Sequence, residues 1–334
     1  MADKYVLALE TSCDETSVAI VKNGCEEIAS VIMSQVSEHE AYGGVVPEIA
    51  SRAHEKNITW ALEKVLTDAN MSLNKIDAIA VTYGPGLIGS LLVGITVAKT
   101  LAWLNNIPLI PVHHIAGHIY ASKLASKMSF PLIALVVSGG HTELIYMKED
   151  YSFEKIGGTL DDAVGEAYDK VARLLDLGYP GGPVLDRLAQ TGQDTYNLPY
   201  PLNDESYNFS FSGLKSAVTN LIHNEKQRGN EINKADLACS FQNRIITVLV
   251  AKSIRAMQAY QVDNLILVGG VAANTTLREA LKQRCQNHGL QCHVPKIINC
   301  TDNAAMIGAA AYFAYNLGHH EKPWQAKSIV DLTE

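Results

Sequence analysis

The chain carries one supersecondary pattern twice, and that duplication limits the folds open to it more than any single motif does. Val6-Leu7-Ala8-Leu9-Glu10 is an apolar strand; a polar turn through Asp14-Glu15 leads to a returning strand, Ser17-Val18-Ala19-Ile20-Val21. Leu132-Ile133-Ala134-Leu135-Val136-Val137 turns through Ser138-Gly139-Gly140-His141 into Glu143-Leu144-Ile145-Tyr146-Met147. Short apolar runs bounded by turn residues read as strands. Asn23-Gly24 and Glu149-Asp150 then mark turns into a third strand in each half. Further on, Ile76-Asp77-Ala78-Ile79-Ala80-Val81 leads into Gly84-Pro85-Gly86 and an apolar helix around 91–102. Its counterpart, the strand over 262–268, leads into Gly269-Gly270 and a helix around 276–285. Such alternation predicts an α/β class. The chain divides into a first domain over 1–128 and a second over 129–334, with the last helix a candidate to pack back on the first.

The bulk numbers agree. At ~100–200 residues per domain, 334 residues make about two, and 47% hydrophobic content supplies a core. A net charge of -8 argues against a wholly nucleic-acid-binding surface, leaving local patches built from Lys123, Lys127, Arg244, Lys252, Arg255, Arg278, Lys282 and Arg284. The six cysteines form no C-x-x-C pair, as expected of a reduced, cytoplasmic setting. Met1-Ala2-Asp3-Lys4 runs into a strand without a leader. No uninterrupted apolar run reaches the ~18 residues of a membrane span, so no membrane partner is expected.

His114 and His118 follow the short strand around 107–112. At i and i+4 of a helix both rings face one side, which is a metal-ligand spacing. The equivalent helix start in the second half carries Thr301-Asp302-Asn303. Ile79 to His114 is 35 positions and Ile266 to Asp302 is 36. If the repeats face each other, His114, His118 and Asp302 converge. Two imidazoles and a carboxylate leave coordination positions open and suit Fe²⁺, Zn²⁺ or Mn²⁺. A zincin protease needs H-E-x-x-H, but Ile115 follows His114.

No G-x-x-x-x-G-K-[ST] run is present. Instead Gly84-Pro85-Gly86, Ser138-Gly139-Gly140, Gly181-Gly182 and Gly269-Gly270 supply turns whose backbone N–H groups can meet a phosphate. Residues 159–170 read as a helix with Asp161 and Asp162 capping its start. Asp169 and Asp186 flank the loop Tyr179-Pro180-Gly181-Gly182-Pro183 and are placed to accept bonds from ribose hydroxyls.

These runs together resemble the TsaD family of tRNA adenosine threonylcarbamoyltransferases, and the likeness spans nearly the whole chain in order. They are Ser12-Cys13-Asp14-Glu15-Thr16-Ser17, Gly84-Pro85-Gly86-Leu87, His114-x-x-x-His118, Val137-Ser138-Gly139-Gly140-His141-Thr142, Asp161-Asp162-Ala163-x-Gly165-Glu166-Ala167-x-Asp169-Lys170, Tyr179-Pro180-Gly181-Gly182-Pro183, Gly269-Gly270-Val271-Ala272-Ala273-Asn274 and Thr301-Asp302-Asn303-Ala304-Ala305-Met306. The resemblance implies two ribonuclease-H-like domains of the actin-like ATPase and sugar-kinase superfamily, with an interdomain cleft. It implies an iron-type divalent metal on His114, His118 and Asp302. It implies substrate binding by Val137, Ser138, Gly139, Gly140 and His141, and nucleotide binding by Asp169, Gly182, Asp186 and Asn274. The implied substrates are threonylcarbamoyl-adenylate and the adenosine beside the anticodon of tRNAs reading codons that begin with A. Asp14 and Glu15 are candidates to orient or deprotonate its amine. The implied partners are a TsaB-type paralogue and a TsaE-type ATPase, with apolar helices around 58–66 and 91–104 as a docking face. Two positions depart from the family: His113 stands where Asn is frequent, and Val136 where archaeal and eukaryotic relatives place a Tyr ligand. His113 is expected to face away from the metal. The competing reading is a small-molecule kinase or ATPase of the same fold, which would not need the histidines.

Overall fold

The computed structural model describes residues 2–125, 128–202, 204–318 and 324–333. Its contacts divide the chain into Met1–Met128 with Pro295–Glu334, and Ser129–Val294.

The first unit contains β1 (Tyr5–Glu10), β2 (Glu15–Lys22), β3 (Glu26–Ser34), α1 (Val36–Glu40), α2 (Pro47–Asp68), β4 (Ala78–Gly84), α3 (Ile88–Asn105), β5 (Leu109–His113) and α4 (His114–Tyr120). Its sheet runs β3-β2-β1-β4-β5. β1 pairs antiparallel with β2 and parallel with β4. Alternation along the strands sends Leu7, Leu9, Ile20, Ile79 and Val81 into one core with Ile58, Ala61 and Val65 of α2 and Leu91, Ile95 and Ala98 of α3. α3 is long and apolar enough to cross a membrane by length and composition, yet Leu91, Gly94, Ile95, Ala98 and Ala102 are buried in this core.

The second unit contains β6 (Leu132–Val137), β7 (Thr142–Met147), β8 (Glu154–Gly158), α5 (Val164–Leu174), α6 (Gly181–Ala189), α7 (Ser212–Gln227), α8 (Lys234–Ala259), β9 (Asn264–Val268), α9 (Thr275–Asn287) and β10 (Gln291–His293). Its order, β10-β9-β6-β7-β8, repeats the first sheet strand for strand. The hairpins and third strands expected from sequence are therefore present in both units. The helix expected from residue 159 begins at Val164 instead. Asp161 caps a different helix, accepting bonds at the start of α7 from Phe211 N at 2.8 Å and Ser212 N at 3.3 Å.

After β10 the chain continues as α10 (Ala304–Asn316), grouped with the first unit. The boundary drawn from sequence, 129–334, therefore ends at Val294 instead, and the last helix belongs with the first unit, as its candidate packing there anticipated. The other face of the first sheet explains the return. Ala8 pairs with Ala19 and Ala80, a row of small side chains that lets an alanine-rich helix approach closely. A Cβ on Gly308 would lie 2.7 Å from Val21 Cγ2, and one on Gly117 of α4 would lie 2.6 Å from Ile307 Cδ1.

Gly308→Val should cost about 1–3 kcal/mol through overpacking. Gly213→Ala, where an added Cβ meets nothing within 4 Å, should stabilise α7 by about 0.5–1 kcal/mol. Chemical denaturation of both variants checks the pair; a tolerated Gly308→Val would contradict this packing.

Candidate metal and nucleotide sites

The first unit gathers the three expected ligands where β5 passes into α4. His113 ends the strand and its ring accepts the Ile115 amide at 3.1 Å, while Nε2 meets the Val330 carbonyl at 3.3 Å. As expected, it is turned to other work. His114 and His118, one helical turn apart, hold their rings 4.7 Å centre to centre. Asp302 stands just before α10, whose start is fastened by Asn303 accepting from Met306 N at 2.9 Å and by Ala304 N donating to Ser17 Oγ at 2.9 Å. Asp302 Oδ1 lies 3.1 Å from His118 Nε2 and 3.5 Å from His114 Nε2. One ligand atom from each residue falls within 4.8 Å of the others. The convergence arises inside the first unit, because α10 packs beside α4.

The donor set fits a divalent cation. His118 is fully buried, yet neither ring nitrogen has a hydrogen-bond partner among the described residues. The short approach to Asp302 lacks hydrogen-bond geometry. A buried polar atom without a partner is costly, and coordination would satisfy Nε2. Two imidazoles and one carboxylate suit iron, zinc or manganese with positions left for substrate.

Glu10, which sequence reasoning passed over, completes the centre. Its carboxylate is wholly buried. It accepts from Ser12 N at 2.6 Å and from the Thr82 hydroxyl, and Oε2 lies 3.2 Å from His114 Nδ1. A carboxylate on one imidazole nitrogen fixes the tautomer and leaves the other nitrogen for a metal. Burial opposes a charge on His114, but the Asp302 and Glu10 carboxylates outweigh it and raise the ring to about 9. Burial also works to raise Glu10, and the His114 charge prevails and lowers it. The only sequence signal was an apolar strand ending on an acid.

Asp14 and Glu15 lie beside this centre. Burial first, then the Asp302 and Asp14 charges, hold the Glu15 carboxyl well above the usual carboxylate range, and Glu15 is hydrogen-bonded to Asp14. Such an environment suits a group that handles protons near neutrality.

In the second unit β6 ends at Val137, and the following turn is tied by Ser138 N donating to His141 O at 2.8 Å and His141 N donating to Ser138 Oγ at 3.1 Å. Added Cβ atoms at Gly139, Gly140 and Gly182 meet nothing within 4 Å, so backbone there is open to a ligand. Gly269, by contrast, has φ +94° and would place a Cβ 2.3 Å from Val137 O, so it packs the β9 turn onto the β6 turn. Asp169 Oδ1 accepts from Gly181 N at 2.8 Å, which orients α6. Asp186 accepts from Gln242 Nε2 at 3.1 Å and Thr275 Oγ1 at 3.3 Å. Asn274 caps α9 through Leu277 N at 2.8 Å and donates to Gln242 Oε1 at 2.8 Å. Gln242, mid-helix in α8, thus joins the two polar residues, and no sequence motif marked it.

The basic candidates fare differently. Lys252 is buried and bonded to Asp204 Oδ1 at 2.9 Å. Arg244 donates to Leu198 O at 2.9 Å and Arg255 to Asp204 O at 2.9 Å. These three hold loops in place through those bonds. Lys127 lies outside the described residues, and Lys282 and Arg284 are exposed on α9.

Residues 26–309 match the family model TsaD, tRNA N6-adenosine threonylcarbamoyltransferase. A protein of that name from Staphylococcus haemolyticus is 58% identical over 317 residues, 95% of this chain and 93% of its own. One from Staphylococcus aureus is 54% identical over 334 residues, 99% and 98%. One from Bacillus cereus is 58% identical over 315 residues, 94% and 92%. Among solved structures, full-length HypF aligns at TM-score 0.63 and 14% identity over 94% of this chain and 46% of its own. Component A of the Acidaminococcus fermentans (R)-2-hydroxyglutaryl-CoA dehydratase aligns at 0.54 and 15%, over 92% and 98%. Those two show the fold alone, the duplicated ribonuclease-H-like architecture of the actin-like class.

Glu10→Gln should weaken divalent-metal binding about 10–100-fold, the usual effect of losing such a partner. Metal titration of the purified chain measures it; unchanged affinity would remove Glu10 from the centre.

Proposed function

Because the chain belongs to the TsaD family of tRNA N6-adenosine threonylcarbamoyltransferases, we propose how its own residues carry out that reaction. The enzyme transfers the threonylcarbamoyl group from threonylcarbamoyl-adenylate to the exocyclic amine of the adenosine beside the anticodon, in tRNAs reading codons that begin with A. The amine nitrogen attacks the carbamoyl carbon, the bond from that carbon to the phosphate oxygen breaks, AMP departs and the nitrogen sheds one proton.

The observation that carries the residue assignment is the cluster of His114, His118 and Asp302, in which the buried His118 ring has no hydrogen bond among the described residues. These three would hold a divalent ion, iron first, with zinc or manganese suited to the same donors. When bound, the ion would supply Lewis acidity toward the carbamoyl carbonyl. Val137, Ser138, Gly139, Gly140 and His141 take the acyl-adenylate at the open turn, whose N–H groups suit the departing phosphate. Asp169, Gly182, Asp186 and Asn274 take the nucleoside, Asp186 and Asn274 being pre-set by Gln242. An adenine amine is a weak nucleophile, so positioning must supply much of the rate. Asp14 and Glu15 orient that amine and receive its proton.

The TsaB-type paralogue docks on α2 and α3, where Trp60, Leu92, Trp103 and Leu104 are exposed although both helices are otherwise core elements. The TsaE-type ATPase acts with this pair. The setting is the cytoplasm, where tRNA and adenylate are available.

Asp302→Ala should lose bound metal and tRNA modification together, read by elemental analysis and nucleoside chromatography; full modification without metal would overturn the assignment. Trp103→Glu should weaken paralogue binding by about 30-fold or more, as for a buried aromatic anchor, with metal content unchanged. Calorimetric titration checks this, and unaltered affinity would move the docking face elsewhere.

A further inference from the structure

Under the first sheet lies a chain of hydrogen bonds that the reaction as described does not use. Gln35, His39, His54 and Thr16 are all fully buried. Val46 N, at the N-cap of α2, donates to His39 Nδ1 at 3.3 Å. His39 Nε2 must therefore carry the proton, and it meets Gln35 Oε1 at 3.3 Å. That fixes the Gln35 amide, whose Nε2 faces His54 Nδ1 at 3.3 Å. Thr16 Oγ1 meets the same Nδ1 at 2.8 Å. His54 Nε2 then donates to the Cys13 carbonyl at 2.9 Å. Gln35 also donates its own N–H to the Asp14 carbonyl at 3.0 Å. The direction is set throughout, because the first donor is a backbone amide and the last acceptor a carbonyl, and Gln35 and the closer Thr16 hydroxyl share the one lone pair of His54 Nδ1.

We propose that His39, Gln35 and His54 form a positioning relay that sets the Cys13-Asp14-Glu15 turn, and through it the two carboxylates that meet the tRNA amine. The relay rests on the placement of Asp14 and Glu15 at the amine given above. Its histidines touch no substrate. What the relay fixes is the Cys13 carbonyl, through the His54 ring, beside the main-chain bond from Gln35 N to the Asp14 carbonyl. The start of the turn is tied separately, by Leu87 N donating to Ser12 O at 2.8 Å and Ser12 N donating to Glu10 at 2.6 Å, which leaves its Cys13–Asp14 end to the relay. A buried, fully satisfied polar network specifies one conformation of the segment it holds, and a displacement of about 1 Å in a positioning element costs on the order of 10²-fold in rate. α2, which begins at the head of the relay, also carries His54 itself, so the turn is referenced to that helix and not only to its own strands.

The test is steady-state transfer to tRNA with the partner proteins present. KM for threonylcarbamoyl-adenylate, metal content and melting temperature are measured alongside. The variants are His54→Ala, Gln35→Met, Asp14→Asn, Glu15→Gln and the pair His54→Ala with Glu15→Gln. The relay predicts that His54→Ala and Gln35→Met each lower kcat about 10–100-fold, with KM and metal content within about two-fold of wild type. It also predicts that the pair is no more than about three-fold slower than Glu15→Gln alone, because residues acting as one unit are non-additive. Gln35→Met keeps both rings and decides the matter if His54→Ala does not fold. Unchanged kcat in Gln35→Met, a loss that follows metal content, or additive effects in the pair would overturn the relay. Full activity in both Asp14→Asn and Glu15→Gln would instead strike the carboxylate placement, and the relay with it.

Discussion

Buried negative charge is the constraint around which the first unit is organised. Glu10 is wholly inside the protein, Asp302 stands beside it, and Asp14 and Glu15 follow within the same turn. An isolated buried carboxylate is prohibitively costly, so the site must supply positive charge or hydrogen bonds. Ser12 N, Thr82 and His114 serve Glu10. With protein groups alone, the carboxylates draw a proton onto His114. A divalent cation on His114, His118 and Asp302 would answer the same electrostatic demand and also satisfy a His118 nitrogen that has no hydrogen bond among the described residues.

Much of this was legible in sequence, and the limits have physical causes. The hairpins of β1–β2 and β6–β7 announce themselves through unbroken apolar runs and polar turns, since strands covered on both faces need no alternation. The i, i+4 pair His114 and His118 announces one helix face. Asp302 followed from the near-equal spacing of the two halves, but the route by which it arrives did not. Equal spacing suggested facing repeats, whereas α10 settles on the row of Ala8, Ala19 and Ala80 in the first sheet. Small residues carry little patterning signal, so a helix packed by shape is hard to foresee. Glu10, Gln242 and His54 were missed for a related reason. Each acts through partners distant in sequence, 104 positions away for Glu10 and His114, and no local spacing encodes that.

The second unit divides its glycines by role. Gly269 and Gly165 are where backbone meets backbone: a Cβ on Gly165 would lie 2.7 Å from Ser138 O. Gly139, Gly140 and Gly182 have open space instead, and their backbone can approach a phosphate closely. Packing and binding thus use the same residue for opposite reasons, which motif reading alone does not separate. Arg244, Arg255 and the buried Lys252, by the same token, hold loops.

The most direct test follows the carbamoyl carbon. Threonylcarbamoyl-adenylate labelled at that carbon is supplied, without ATP consumption by this chain, to the metal-loaded protein, its partners and tRNA. The account predicts label on the adenosine beside the anticodon, with AMP released in equal amount. Label remaining on the adenylate while the protein phosphorylates a small acceptor from ATP would contradict it.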